Sequence, residues 1–224
     1  NVALPYVCMG VIVLLVTVVF TKIKLPEIEH CVEVDKDGNQ VKLWSHRLFI
    51  FGLIALFAYE VGEISINSFF INYVVEQGWM NARDASLILS FGGLGLFMLG
   101  RFIGSWIMGR VCAEKMLLIC ATGTVLTTLV VLLDVGMVSL VALLCGYAFE
   151  AIMFPTIFAL SLRGLGNHTK RASSFLMMSP VGGVVGPLLM GLVADHSTMV
   201  MAFTVPLVAY SVVWCYARKV VYVS

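Results

Sequence analysis

Apolar residues run along this chain in long blocks rather than in short alternations. Positions 2–20, 48–75, 85–108, 116–133, 137–162, 173–194 and 199–217 are each almost wholly hydrophobic, with short polar stretches between them. A helix crosses the hydrocarbon core with about 20 such residues, so the pattern predicts seven transmembrane helices. One polar connection is long, at 21–46. Inside it Val32, Val34, Val41 and Leu43 alternate around Asp37-Gly38-Asn39, which predicts a small surface hairpin. The organisation is therefore one helix at 1–20, a polar loop at 21–46, and a compact block of six helices at 47–219. Six helices on short loops suit one half of a transporter built from three-helix repeats.

Composition turns that pattern into a class. Hydrophobic residues make up 60% of the 224 and charged residues only 12%, with a mean hydropathy of +1.00. Soluble domains carry about 25% charged residues, so a water-soluble enzyme, a disordered chain and a disulfide scaffold are all excluded. A net charge of +1 points to no nucleic acid. Of the 14 Lys and Arg, twelve fall on one side when 21–46 is placed inside; Arg83 alone lies outside and Arg101 lies within a helix. That asymmetry orients the chain with the central loop and the C-terminus cytoplasmic. Asn1 opens the chain directly on an apolar run without a basic leader or an Ala-x-Ala exit. The expectation is a piece of a longer protein, with five further spans upstream. The histidines lie outside the apolar runs and no Cys or His spacing fits a metal site. No cofactor is implied.

Three acids stand out because charge at the bilayer centre costs about 2.5–3.5 kcal/mol on insertion scales. Glu60, Glu63 and Glu150 sit near the middles of 48–75 and 137–162. Glu60, Glu63, Asn67 and Val74 share one helical face, and Tyr147, Glu150, Phe154 and Ser161 share another. Carboxylates and an amide beside Tyr59, Tyr147 and Phe154 combine hydrogen-bond partners with aromatic surface, which is what a polar small molecule requires. The alternative is that these groups pair with polar neighbours and lock helices together, a role membrane amides such as Asn67 often take. Gly100 with Gly104, and Gly182 with Gly186, have GxxxG spacing for close helix packing. Pro155, Pro180 and Pro187 predict kinks. An intramembrane enzyme finds no support, since GxSxG, HExxH and a histidine at membrane depth are all missing from the sequence.

The segment Gly100-Arg101-Phe102-Ile103-Gly104-Ser105, followed by Arg110, resembles a repeat in the second half of major facilitator superfamily transporters. Phe154-Pro155-Thr156-Ile157-Phe158-Ala159-Leu160, Leu165-Gly166-Asn167-His168-Thr169-Lys170 and Ala172-Ser173-Ser174-Phe175 resemble the fucose–proton symporter family, which includes glucose/galactose transporters. Gly182-Gly183 through Pro187 to Gly191 and Asp195, and Tyr59, Glu63 and Asn72-Tyr73, are similar to the same family. The resemblance runs from the family's sixth helix to its twelfth. It implies an all-α transporter fold in the cell inner membrane, and secondary active transport of a monosaccharide (fucose, glucose, galactose or mannose) by alternating access. The coupling ion would be a proton or sodium, and the absent N-terminal half would be an obligate partner. A drug or amino-acid transporter on the same fold is the alternative. In this superfamily the helices of Glu60, Glu63 and Glu150 line the central cavity. The resemblance also makes Arg101 a gating residue in a charge cluster with Arg110 or Glu114, against a plain topology role.

The charge asymmetry yields a direct test. Cysteines introduced at Gly78 or Ser197 should react with an impermeant thiol reagent added outside intact cells, and cysteines at Asn39 or Asn167 should stay protected. Labelling at Asn167 in sealed cells would overturn the orientation.

Overall fold

The structure is a computed structural model that describes residues 7, 10–15, 17, 18 and 43–223. The chain divides into two units, residues 1–33 and 34–224. In the first, the described residues are helical, and the Thr17 hydroxyl donates to the Val13 carbonyl at 2.8 Å. The rest of the 2–20 span and the hairpin expected around Asp37 lie outside the described residues.

The second unit holds six helical spans: α1 (Arg47–Glu76), α2 (Ala82–Met108), α3 (Ala113–Leu132), α4 (Met137–Leu162), α5 (Thr169–His196) and α6 (Met199–Tyr222). Each matches an apolar block read from sequence to within a few residues. The largest differences are five residues at the C-terminal end of α6 and four at the start of α5, where polar residues extend a helix beyond its apolar run. Asn81 caps α2 by accepting from the Asp84 amide at 2.9 Å, and α5 begins in the polar segment Thr169–Leu176. Ahead of α1, Leu43 is buried and Trp44 packs edge-on against Phe175, with ring centroids 5.3 Å apart.

α1 is the centre of the bundle, packed by α4, α5 and α6. Its buried Phe49, Leu56, Tyr59, Phe70 and Tyr73 form much of the core. α3 joins α4 to α6, and α2 packs mainly on α4, with its first turns also against α1. On α2 and α5 the long apolar side chains point outward, with Phe91 80% and Val184 72% exposed. That inversion suits a lipid solvent, where close backbone packing at small residues replaces hydrophobic burial between helices. A Cβ at Gly100 would meet the Ala148 carbonyl oxygen at 2.7 Å, and one at Gly182 would meet that of Phe57 at 2.6 Å. Gly104 lies against Ile152 and Gly186 against the Val61 carbonyl. The two GxxxG pairs thus seat α2 on α4 and α5 on α1.

Several hydroxyls inside the spans bond to the backbone of their own helix, where hydrocarbon offers no water. Thr122 and Thr128 donate to the carbonyls four residues back at 2.7 and 2.8 Å, and the Trp214 indole N–H of α6 reaches the Thr122 hydroxyl at 3.1 Å. Three spans are interrupted one turn before a proline. α4 turns at residues 151–152 ahead of Pro155, α5 at 177–178 ahead of Pro180, and α6 at Phe203 ahead of Pro206. Pro187, by contrast, lies within the continuous segment Gly182–His196. α2 carries a π-helical turn at Ile88–Gly93, which nothing in its sequence pattern announced.

Gly100→Ala should cost about 1–3 kcal/mol through overpacking against the α4 backbone. Gly95→Ala, with nothing within 4 Å of the added carbon, should be neutral or gain up to about 1 kcal/mol of helix propensity. Thermal unfolding of the two variants in detergent separates these outcomes.

Candidate functional site

The break in α4 organises the site. In a continuous helix the carbonyls of Glu150 and Ala151 accept from the amides of residues 154 and 155. Residue 155 is proline, which has no N–H, and its ring collides with the carbonyl four residues earlier. α4 therefore ends one segment at Glu150 and starts the next at Met153, with φ −107° and ψ −4° at Ile152. Two neighbouring helices supply donors at the break. The Tyr59 hydroxyl of α1 donates to the Glu150 carbonyl at 3.1 Å, and Arg101 Nε of α2 donates to the Ala151 carbonyl at 3.1 Å. The guanidinium also lies over the Phe97 ring, 4.8 Å from its centroid.

The acids gather around this break. Glu150 is 1% exposed; its Oε1 accepts from the Tyr210 hydroxyl of α6 at 2.6 Å, and its Oε2 is buried without a partner among the described residues. Glu63 is partly exposed and lies within Coulombic reach of Glu150, Tyr59 and Arg101. Glu60, on the preceding turn, sits beside Gly182 of α5 and within Coulombic reach of Glu63. Glu63 is thus the middle member of the three and the one open to its surroundings. A partly exposed carboxylate flanked by an arginine and a tyrosine hydroxyl is equipped to accept hydrogen bonds from a polyol.

The aromatic residues expected at the site do different work. Phe154 lies 6.2 Å from Tyr59 and stacks on Phe158 at 6.3 Å, with its own ring partly open. Tyr147 is buried against Gly93 and Phe70, and its hydroxyl has no partner among the described residues. Asn67 is half-buried on α1, a turn beyond Glu63, and makes no side-chain hydrogen bond among the described residues.

Around Arg101 the structure places the Ala151 carbonyl and the Phe97 ring. Glu114 pairs with Arg163 at the end of α4, and Arg110 stacks on Trp106, 4.4 Å from its ring centroid. The cause is the close crossing of α2 over α4 at Gly100 and Gly104, which carries residue 101 to the middle of α4 and away from the loop after α2. The same pairing makes Arg163 an ion-pair partner at the end of α4. Tyr210 was not among the candidates read from sequence. It lies 60 residues from Glu150, and nothing local marks it. The freed Ala151 carbonyl did have a signal, because Pro155 stands four positions later. A groove of about 380 Å³ between α1, α5 and α6 is lined by Phe57, Val61, Leu189, Val205 and Val208 and excludes all three acids. Its apolar walls match hydrocarbon and offer a sugar nothing.

Tyr210→Phe removes the hydroxyl that donates to the Glu150 carboxylate and should destabilise the bundle by about 1–3 kcal/mol, the usual penalty for a buried group left unsatisfied. Tyr222→Phe, at an exposed ring, should have no effect. Both are read by thermal unfolding of the purified protein.

No family model matches the chain. Individual relatives do. A putative glucose/galactose transporter of Helicobacter pylori (strain J99) is 34% identical over 226 aligned positions, covering 98% of this chain and 54% of that protein. The glucose/galactose transporter of Brucella abortus (strain 9-941) is 30% identical, covering 95% and 52%. The L-fucose-proton symporter of Escherichia coli K12 is 32% identical, covering 97% and 51%. The crystal structure of the major facilitator superfamily transporter FucP in the outward conformation superposes with a TM-score of 0.85 at 30% identity, over 98% of this chain and 54% of that one. The chain spans about half the length of the relatives it matches. Over that half, this multi-pass membrane protein has the transporter fold of the major facilitator superfamily and is similar in sequence to the fucose–proton symporter and the glucose/galactose transporters.

Proposed function

We propose that this chain forms one of the two bundles of a proton-coupled monosaccharide symporter. The sugar, of the glucose, galactose or fucose type, binds at the face carrying Glu63, and the bundle rocks against an N-terminal partner bundle in alternating access. The observation that carries this reading is the placement of Glu63. It is a partly open carboxylate at mid-membrane depth, within Coulombic reach of Arg101 and Tyr59 and of two further acids, Glu60 and Glu150. The names of the relatives, glucose/galactose transporter and L-fucose-proton symporter, support the substrate class and the ion. Lys and Arg crowded on one side support a cell inner membrane setting with residues 21–46 and the C-terminus in the cytoplasm.

In this reading Glu63 and Arg101 meet sugar hydroxyls, Phe154 presents ring surface to the sugar's C–H face, and Asn67 offers an amide one turn further along α1. Glu60 adds a second carboxylate on the α5 side. Glu150 and Tyr147 lie behind this face and shape it from inside the bundle. Arg101 serves the gate by holding the bend of α4, while Arg110, stacked on Trp106, marks the cytoplasmic end of α2. Uphill transport draws on the ion gradient, since the sequence carries no nucleotide-binding motif.

Adding D-glucose, D-galactose or L-fucose to energised vesicles that contain the complete transporter should drive proton uptake, followed with an external pH electrode. Glu63→Ala deletes a charge-assisted hydrogen bond worth about 1.5–3 kcal/mol, and should raise the half-saturating sugar concentration by about ten- to a hundredfold. Proton-independent sugar flux, or unchanged saturation in that variant, would overturn the assignment.

A further inference from the structure

At the α4 break two consecutive backbone carbonyls are each held by one side chain, and each of those side chains also faces Glu63. Tyr59 donates to the Glu150 carbonyl at 3.1 Å and stands four residues before Glu63 on the same face of α1. Arg101 donates through Nε to the Ala151 carbonyl and lies within Coulombic reach of the same carboxylate. A tyrosine has a single O–H to give. With that proton on the Glu150 carbonyl, Tyr59 cannot also serve Glu63; turning to Glu63 means letting the carbonyl go. Arg101 has about five N–H groups in one rigid fork, so its Nη groups can turn toward Glu63 while Nε stays on Ala151, and rotating the plane to face Glu63 weakens the Nε bond.

We propose that Tyr59 and Arg101 are positioning residues that tie the bend of α4 to the state of Glu63. When the lone pairs of Glu63 are occupied by a ligand's hydroxyl donors, Tyr59 and Arg101 stay on the carbonyls and the bend is clasped. When Glu63 is unoccupied it competes for both donors, and the bend loosens. The competition works because hydrocarbon offers no water to replace a donor that leaves. Among the described residues, Tyr59 and Arg101 are the side chains that donate to these two carbonyls at the break. The close seating of Gly100 on Ala148 and of Gly104 on Ile152 grips α4 on both sides of the break, so a change in bend is transmitted to the position of α2. The inference rests on the reading of Glu63 as a ligand-facing group, but its core, the competition for two donors, is testable without any ligand.

Spin labels at Val138 and Leu162, near the two ends of α4, report the bend as a distance distribution in the protein reconstituted in lipid nanodiscs with its native cysteines replaced. Without sugar, Glu63→Ala removes the competing acceptor and should narrow the distribution. Tyr59→Phe and Arg101→Gln each remove a clasp and should broaden it, whether or not Glu63 is present. An unchanged distribution in Glu63→Ala overturns the proposal, as does a parent-like width in both clasp variants. If Tyr59→Phe fails to fold, Arg101→Gln and Glu63→Ala decide the matter between them. D-glucose, D-galactose and L-fucose are then added to the unsubstituted protein. Narrowing with any of them supports the sugar reading of Glu63; no response to any of them counts against that reading alone and leaves the sugar-free result standing.

Discussion

Hydrocarbon supplies no hydrogen bonds, and the central architecture of this bundle follows from how it answers one missing N–H. Pro155 cannot donate to the Ala151 carbonyl, so α4 breaks at its middle, and a tyrosine from α1 and an arginine from α2 take over the exposed acceptors. An arginine is costly at that depth. Here the cost is offset by a carbonyl, an aromatic face at Phe97 and a carboxylate at Glu63 arranged around the same guanidinium. Removing any one of these would leave the others poorly satisfied, which is why the break, the arginine and the acid occur together.

The same constraint explains the packing. In water a helix buries its apolar side chains; in lipid they are as well solvated outside, and helices associate through small residues and a few polar bonds. α2 shows this plainly. Its bulky Phe91, Phe102 and Trp106 point away from the bundle while Gly93, Gly100 and Gly104 face α4. The polar ties are correspondingly sparse and specific: Trp214 to Thr122 joins α6 to α3, Tyr210 to Glu150 joins α6 to α4, and Arg163 to Glu114 joins the end of α4 to the start of α3.

Three acids near one depth differ by what surrounds them. Glu150 is enclosed and anchored by a tyrosine from the last span, Glu60 lies against a glycine of α5, and Glu63 remains open between an arginine and a tyrosine. The open carboxylate is the one suited to a ligand. The enclosed one serves the bundle's interior, and its unpartnered Oε2 beside the unpartnered Tyr147 hydroxyl leaves polar capacity inside the wall of the site.

The spans of the bundle, their polarity and the two glycine seams were legible in the chain, because hydrophobic length and small-residue spacing are local properties that lipid reads directly. The positions of Glu60, Glu63 and Glu150 along their spans were legible for the same reason. Pro155 even marked which carbonyl would be freed. Partnership was not legible. The crossing of α2 over α4 brings Arg101 to the Ala151 carbonyl, and Glu114 pairs with Arg163. Tyr210 reached Glu150 from 60 residues away, and Glu150 was enclosed where its helical face alone suggested exposure. Which side chain meets which depends on helix crossings and azimuths, set by the joint packing of all six helices, and no window of one helix contains that information.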